Sequence, residues 1–326
     1  MWLCSLACFG GIVTVHFWGV RGSLPTPLTP EQIQSKIIAV VERITSKDIE
    51  SQDARTRFLA MLPEWLFGTV GGNSPCVELT SSSGTKFILD AGSGLRELSV
   101  HGEPPKDFHY HLFMSHFHWD HIQGIPFWGA PFNPKATIDV YSAFPEAERV
   151  LSRQNDLPYF PENCRWNRIK GMFRFHQLKN RESIYIGTTK ITMRKMRHPG
   201  NSYSYIFEEN GKKFVYATDV ELLDADLDVT DEKNSIFKDA DVVVIDSQYN
   251  IDDAEAKKNW GHNVYYRAVD FATIYGTKRL FLFHHEPTYS DQQIYAMLQA
   301  ARWYAESSEN SKLQIDIAIE GQDVEL

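Results

Sequence analysis

From Ser115 to His121 the chain reads Ser-His-Phe-His-Trp-Asp-His, which packs three imidazoles and a carboxylate into six residues. The segment follows the apolar run Tyr110-His111-Leu112-Phe113-Met114, which has strand character. A loop leaving a strand can splay alternate side chains, and mixed imidazole and carboxylate donors suit zinc, manganese or iron. The pattern therefore predicts a metal centre with room for two ions. The bland alternative is a His-rich surface loop.

Further candidate ligands stand at the ends of later β-prone runs, where an open α/β fold presents its ligands. Ile191-Thr192-Met193 leads to His198-Pro199-Gly200, Lys213-Phe214-Val215-Tyr216-Ala217 leads to Thr218-Asp219, and Arg279-Leu280-Phe281-Leu282-Phe283 leads to His284-His285. Each alone reads as readily as a buried polar residue with a partner. With the first segment they supply seven ligands.

The order and spacing of these residues resemble the metallo-β-lactamase superfamily, whose motifs are His-x-His-x-Asp-His, a lone His, a bridging Asp and a final His. The resemblance implies an α/β fold, a four-layer αβ/βα sandwich. It also implies that His116, His118 and His198 hold one divalent ion, that Asp120, His121 and His284 hold a second, and that Asp219 bridges both. His285 competes with His284 for the last role; His284 is preferred because it directly follows the strand. Zinc is the first choice of metal, with manganese or iron as alternatives. Asp90, after Phe87-Ile88-Leu89, matches the superfamily's first motif and is expected to organise the metal loop by hydrogen bonding, a turn-forming Asp being the alternative.

Two segments point to the ribonuclease Z and phosphodiesterase branch. Phe17-Trp18-Gly19-Val20-Arg21-Gly22-Ser23-Leu24-Pro25 and Gly71-Gly72-Asn73-Ser74-Pro75-Cys76 look like that branch's glycine-rich first loop and second strand entry. Trp260-Gly261-His262-Asn263 looks like its motif whose histidine protonates the leaving group, although Asn263 stands where a hydroxyl residue is usual. A helix cap or surface histidine is the other reading of His262.

The motifs run from about Val13 to about Pro287, so a single domain over 13–326 is expected, with a helical insertion at 27–68 and an uncertain extension at 1–12. The extension carries no basic residue, has no convincing cleavage site and is too short to span a bilayer, so it is a poor signal peptide and reads as a misassigned start. In the insertion, Thr29-Pro30-Glu31-Gln32 opens a helix whose Ile33, Ile37, Val40, Val41 and Ile44 repeat at helical spacing, and a second helix covers Ala54 to Leu62. This pair would cap the site's mouth, build a dimer contact or simply pack on the domain. Leu157 to Arg174, with Arg165, Arg168, Lys170 and Arg174, is a second candidate rim, or a solvated loop. Strands are expected near 13–18, 76–80, 86–90, 137–141, 191–197, 204–208, 213–217, 241–246, 279–283 and 312–318.

A net charge of −9, from 33 basic and 42 acidic residues, argues against gripping long duplex nucleic acid by phosphate neutralisation. Cys4, Cys8, Cys76 and Cys164 have no framework spacing, so free thiols, a cytoplasmic location and no membrane partner are expected. The leading function is a phosphodiesterase in which two cations lower the pKa of a bridging water to about 7, giving a hydroxide that attacks a cyclic nucleotide or other small phosphodiester. Asp120 and Asp219 would orient that hydroxide and His262 would protonate the leaving oxygen. The alternatives are a tRNA 3′-processing endoribonuclease, with RNA as partner, and a non-catalytic metal-bound scaffold or sensor. Thioester and lactam hydrolysis stay open. Members with this fold are often homodimers, an option for this chain.

Overall fold

The computed structural model describes residues 13–307 and 312–326, so the expectations for the extension, Cys4 and Cys8 lie outside the described residues. Strand β1 (Thr14–Gly19) is followed by helices α1 (Pro30–Val41), α2 (Gln52–Ala60) and α3 (Glu64–Phe67), then by β2 (Cys76–Thr80) and β3 (Lys86–Leu89). Helix α4 (Gly94–His101) leads to β4 (His109–Phe113), α5 (Trp119–Ile122) to β5 (Thr137–Ser142), and α6 (Ala147–Gln154) with α7 (Trp166–Ile169) to β6 (Phe173–Gln177). Next come β7 (Ser183–Ile186), β8 (Thr189–Met196), β9 (Ser202–Glu209), β10 (Lys212–Ala217) and β11 (Val242–Asp246). Helices α8 (Ile251–Ala256) and α9 (Tyr265–Ile274) precede β12 (Arg279–Phe283), and α10 (Asp291–Ser307) precedes β13 (Gln314–Ile317) and β14 (Asp323–Glu325).

The strands form two seven-stranded sheets, ordered β14-β1-β2-β3-β4-β5-β6 and β13-β12-β11-β10-β9-β8-β7. Within each, consecutive neighbours from β3 to β6 and from β10 to β13 run parallel. Parallel strands are buried on both faces, and β11 accordingly is buried at every residue. Side-chain alternation then assigns the layers. Phe113, Phe281 and Phe283 meet Phe17, Tyr205 and Phe207 in the core between the sheets. Leu112, Ile138 and Val140 pack on the other face of the first sheet with Leu95, Leu98 and Leu151 of α4 and α6. Val243, Ile245 and Leu282 pack with α9 and α10. The result is the αβ/βα sandwich that the sequence predicted. No helix among the described residues is long and apolar enough to cross a membrane.

Three strands were not anticipated from sequence: β6, β7 and β14. All lie at sheet edges, and β7 alternates exposed and intermediate residues, so no buried apolar stripe marks it. The second helix of the insertion starts at Gln52 rather than Ala54, because Ser51 caps it by accepting from Ala54 N.

The insertion is helical, and Thr29 and Gln32 close a capping box on α1. Its apolar spacing does not find a core. No residue of α1 is buried, and Ile37 and Val41 are 58% and 63% exposed. A polar clamp holds it instead: Lys36 Nζ reaches the carbonyls of Trp65 and Gly68 and the buried carboxylate of Asp291, at 2.7, 2.5 and 2.5 Å. Asp291 also accepts Val70 N at 3.0 Å and lies 3.7 Å from the guanidinium of buried Arg21. Asp291→Ala should therefore strand two cations and cost about 3–5 kcal/mol, with faster proteolytic cleavage inside 27–68. Denaturant titration and limited proteolysis check this; an unchanged midpoint and cleavage rate would reject the clamp.

Candidate metal centre

Strand ends supply the centre, and three of them do so through backbone that most residues avoid. Asp90 after β3, Asp219 after β10 and His284 after β12 have φ of 59°, 49° and 62°. Left-handed non-glycine residues cost about 1–3 kcal/mol each and persist where the surroundings over-determine them.

The structure brings the ligand atoms of His116, His118, His198 and Asp219 within 4.8 Å of one another, and does the same for Asp120, His121, Asp219 and His284. Asp219 belongs to both groups. His285 belongs to neither: its Nε2 donates to Ala318 O at 2.9 Å, and burial drives its pKa down to about 3.

The donor set fits metal because hydrogen bonds behind the rings turn one nitrogen of each inward, toward other rings and carboxylates. His198 Nδ1 donates to Gly261 O at 2.8 Å, so its Nε2 lone pair points at His118 Nδ1, 3.1 Å away. His121 Nδ1 donates to Asp90 at 2.8 Å, which turns Nε2 toward Asp219 at 3.0 Å and Asp120 at 3.3 Å. The Gln248 amide donates to Glu286 and turns its oxygen to His284 Nδ1, so His284 Nε2 faces Asp219 at 3.2 Å and Asp120 at 3.3 Å. Ser115 Oγ donates to Asp90 and accepts from His116 Nδ1. The Nε2 atoms of His116 and His121 are buried without a hydrogen-bond partner. Buried, unpartnered imidazole nitrogens held beside carboxylates at this range suit cations between them.

The electrostatics agree. Burial pushes His116 and His198 below the usual imidazole range, and partial desolvation lowers surface-reaching His118 as well, which keeps all three as neutral donors. Burial would raise Asp120 and Asp219, but His121 beside each outweighs it and both are held ionised. His121 differs: burial is outweighed by Asp219, Asp120 and Asp90, which raise its pKa, so a cation bound there would take the place of a proton. Another group, His109, His111 and Asp139, also clusters, yet it differs: His109 and His176 already engage the two oxygens of Asp139 at 2.5 and 2.7 Å.

His262 lies beside the cluster. Its Nδ1 is 2.7 Å from Asp246 Oδ2 and its ring stacks on His284, with centroids 5.0 Å apart. Burial lowers its pKa, but Asp246 outweighs burial and holds it at about 9. Sequence reasoning missed Asp246, which also accepts Gln248 N and Asn263 N; the available signal was an acid ending the apolar run of β11. It also missed Ser23, whose N–H donates to Asp120 at 2.8 Å, and Gln248. The glycines of two motifs are explained by close approach: a Cβ on Gly22 would lie 2.6 Å from His284 Nδ1, and one on Gly261, at φ 93°, would lie 2.4 Å from His198 Nδ1.

Comparison with known proteins places the fold. A family model for the β-lactamase superfamily domain matches residues 85–285. The chain belongs to the β-lactamase superfamily. No curated protein sequence matches it. Among solved structures, the metallo-β-lactamase fold protein YhfI from Bacillus subtilis superposes with a TM-score of 0.63 at 15% identity, covering 97% of this chain and 100% of that one. Unliganded yeast PDE1 gives 0.61 at 14%, covering 97% and 100%, and the short form of human tRNase Z (ELAC1) gives 0.59 at 15%, covering 95% and 98%.

This superfamily hydrolase carries His/Asp groups suited to divalent metal, organised by Asp90. Buried Asp90 accepts Ser115 N, Ser115 Oγ, His121 Nδ1 and the hydroxyl of Tyr216, between 2.7 and 2.9 Å. Its removal should weaken metal affinity about 10–100-fold. His284→Ala or Asp120→Ala should lower bound metal per folded chain, while His285→Ala should not. Elemental analysis of each variant checks the set; equal metal in His284→Ala and wild type would remove His284 from it.

Proposed function

We propose that the chain is a phosphodiesterase using two divalent cations, zinc in first place, on a cyclic nucleotide or other small phosphodiester. His116, His118 and His198 would hold one ion, Asp120, His121 and His284 the other, and Asp219 both. When bound, such ions acidify water and neutralise charge growing on a phosphoryl group. Asp120 and Asp219 orient the attacking water by accepting its hydrogen bonds.

The observation that carries the reading is His262. A ligand set alone serves any hydrolysis, but an alkoxide leaving group also needs a proton. With Nδ1 committed to Asp246, the imidazolium of His262 presents Nε2–H as the transferable proton. Asp246 fixes the ring and stabilises its charge. The free thiols of Cys76 and Cys164 support a cytoplasmic setting. The exposed apolar face of α1 is the surface this reading assigns to a homodimer, and a single-chain mass by light scattering would count against it.

His262→Ala should keep its metal and slow hydrolysis of a nucleotide diester by about 10²–10⁴, yet scarcely change that of bis(p-nitrophenyl) phosphate, whose nitrophenolate leaves unaided. Equal losses on both would reject the proton-donor role. Preferential cleavage of precursor tRNA in the same panel would move the substrate to RNA, and no hydrolysis by the metal-loaded chain would favour a scaffold.

A further inference from the structure

A cavity of about 780 Å³ opens beside the metal loop. Its walls include Phe117 and Trp119 of that loop, Arg149 and Arg153 of α6, and Leu157 and Tyr159 of the chain that follows. Phe117 and Trp119 are the chain neighbours of His118, the exposed member of the clustered histidines, so one wall of the groove is continuous with the metal loop. It lies in the upper part of the range of about 300–1,000 Å³ typical of ligand sites.

Its chemistry is out of keeping with the rest of the surface. The protein carries a net charge of −9, yet the groove presents the guanidinium groups of Arg149 and Arg153 from one helix face, four residues apart. Neither guanidinium has a hydrogen bond or ion pair among the described residues, and the one carboxylate lining the groove, Asp156, is bonded to Arg165 Nε at 2.6 Å. Like charges at this spacing on a helix repel unless an anion lies between them. Next to the pair, Trp119 and Tyr159 are 70% and 76% exposed, which leaves large aromatic faces open to water beside the cations. Planar bidentate cations recognise phosphate, and open aromatic faces stack nucleobases without regard to sequence.

We propose that this groove binds the portion of the substrate beyond the scissile phosphate, and that this portion is a nucleotide with a further phosphate. The base stacks on Trp119 and the extra phosphate is clasped by Arg149 and Arg153. The inference rests on the phosphodiesterase reading and narrows it: the favoured substrate is a linear, terminally phosphorylated dinucleotide or short oligonucleotide. A cyclic mononucleotide has a single phosphate and leaves the arginine pair without a partner. None of the basic residues singled out in sequence at 157–174 lines the groove, and Arg165 is engaged by Asp156 and Glu162.

The test compares a 5′-phosphorylated dinucleotide with its unphosphorylated counterpart on the metal-loaded full chain. Wild type should prefer the phosphorylated form by about 100-fold in kcat/KM, mainly through KM, and Arg149→Ala/Arg153→Ala should abolish the preference. Arg149→Lys/Arg153→Lys should keep part of it, because charge survives without the planar fork. Calorimetric titration of the phosphorylated dinucleotide into the slow His262→Ala protein reads binding without turnover, and adding the two Arg→Ala changes should weaken it about as much. No preference in wild type, or equal binding with and without the arginines, overturns the groove assignment even if both dinucleotides are cleaved. Failure to cleave either dinucleotide or bis(p-nitrophenyl) phosphate, with binding still dependent on the arginines, overturns the phosphodiesterase reading and leaves the groove standing.

Discussion

The structure is arranged around buried carboxylates that face a ring of imidazoles. Asp219, 1% exposed, lies within reach of His116, His121, His198 and His284, while other bonds have already fixed which nitrogen of each ring points inward. Carboxylates buried this deeply need positive charge beside them, which a protonated His121 supplies in part and bound cations supply in full. The fold therefore carries a cost at its centre that cations relieve, and metal binding and folding should be linked.

The sandwich makes such a centre buildable from residues far apart in sequence. Asp120 and His284 are separated by 164 positions yet lie 3.3 Å apart. The first sheet delivers the 116–121 loop from the end of β4, and the second delivers Asp219 and His284 from β10 and β12. The left-handed residues after β3, β10 and β12 are tolerated because hydrogen bonds surround them, Asp90 alone accepting from Ser115, His121 and Tyr216. Rigid strands thus hold the ligand atoms while the mouth, built of loops and short helices, is free to vary.

Legibility in the sequence followed locality. His116, His118, Asp120 and His121 stand out because they fall within one turn of chain, and Asp219 and His284 because each ends a strongly apolar strand. Asp246 ends such a strand too, but without a clustered neighbour it resembled any polar residue at a strand end; only its 2.7 Å bond to His262 sets it apart. Ser23 contributes a backbone N–H, which no side-chain pattern can show. The spacing of Ile33, Ile37 and Val41 announced a helix correctly but not what would cover it, since periodicity reports a face and never its partner. The edge strands β6, β7 and β14 were missed for the same reason: half-exposed strands lack a buried stripe.

The most direct measurement is anomalous diffraction from crystals of the metal-loaded protein, recorded at the absorption edge of the bound element. The account predicts two peaks, one bounded by His116, His118 and His198, the other by Asp120, His121 and His284, with Asp219 between them. A single peak at full loading, or peaks elsewhere with the clustered imidazoles bare, would contradict it.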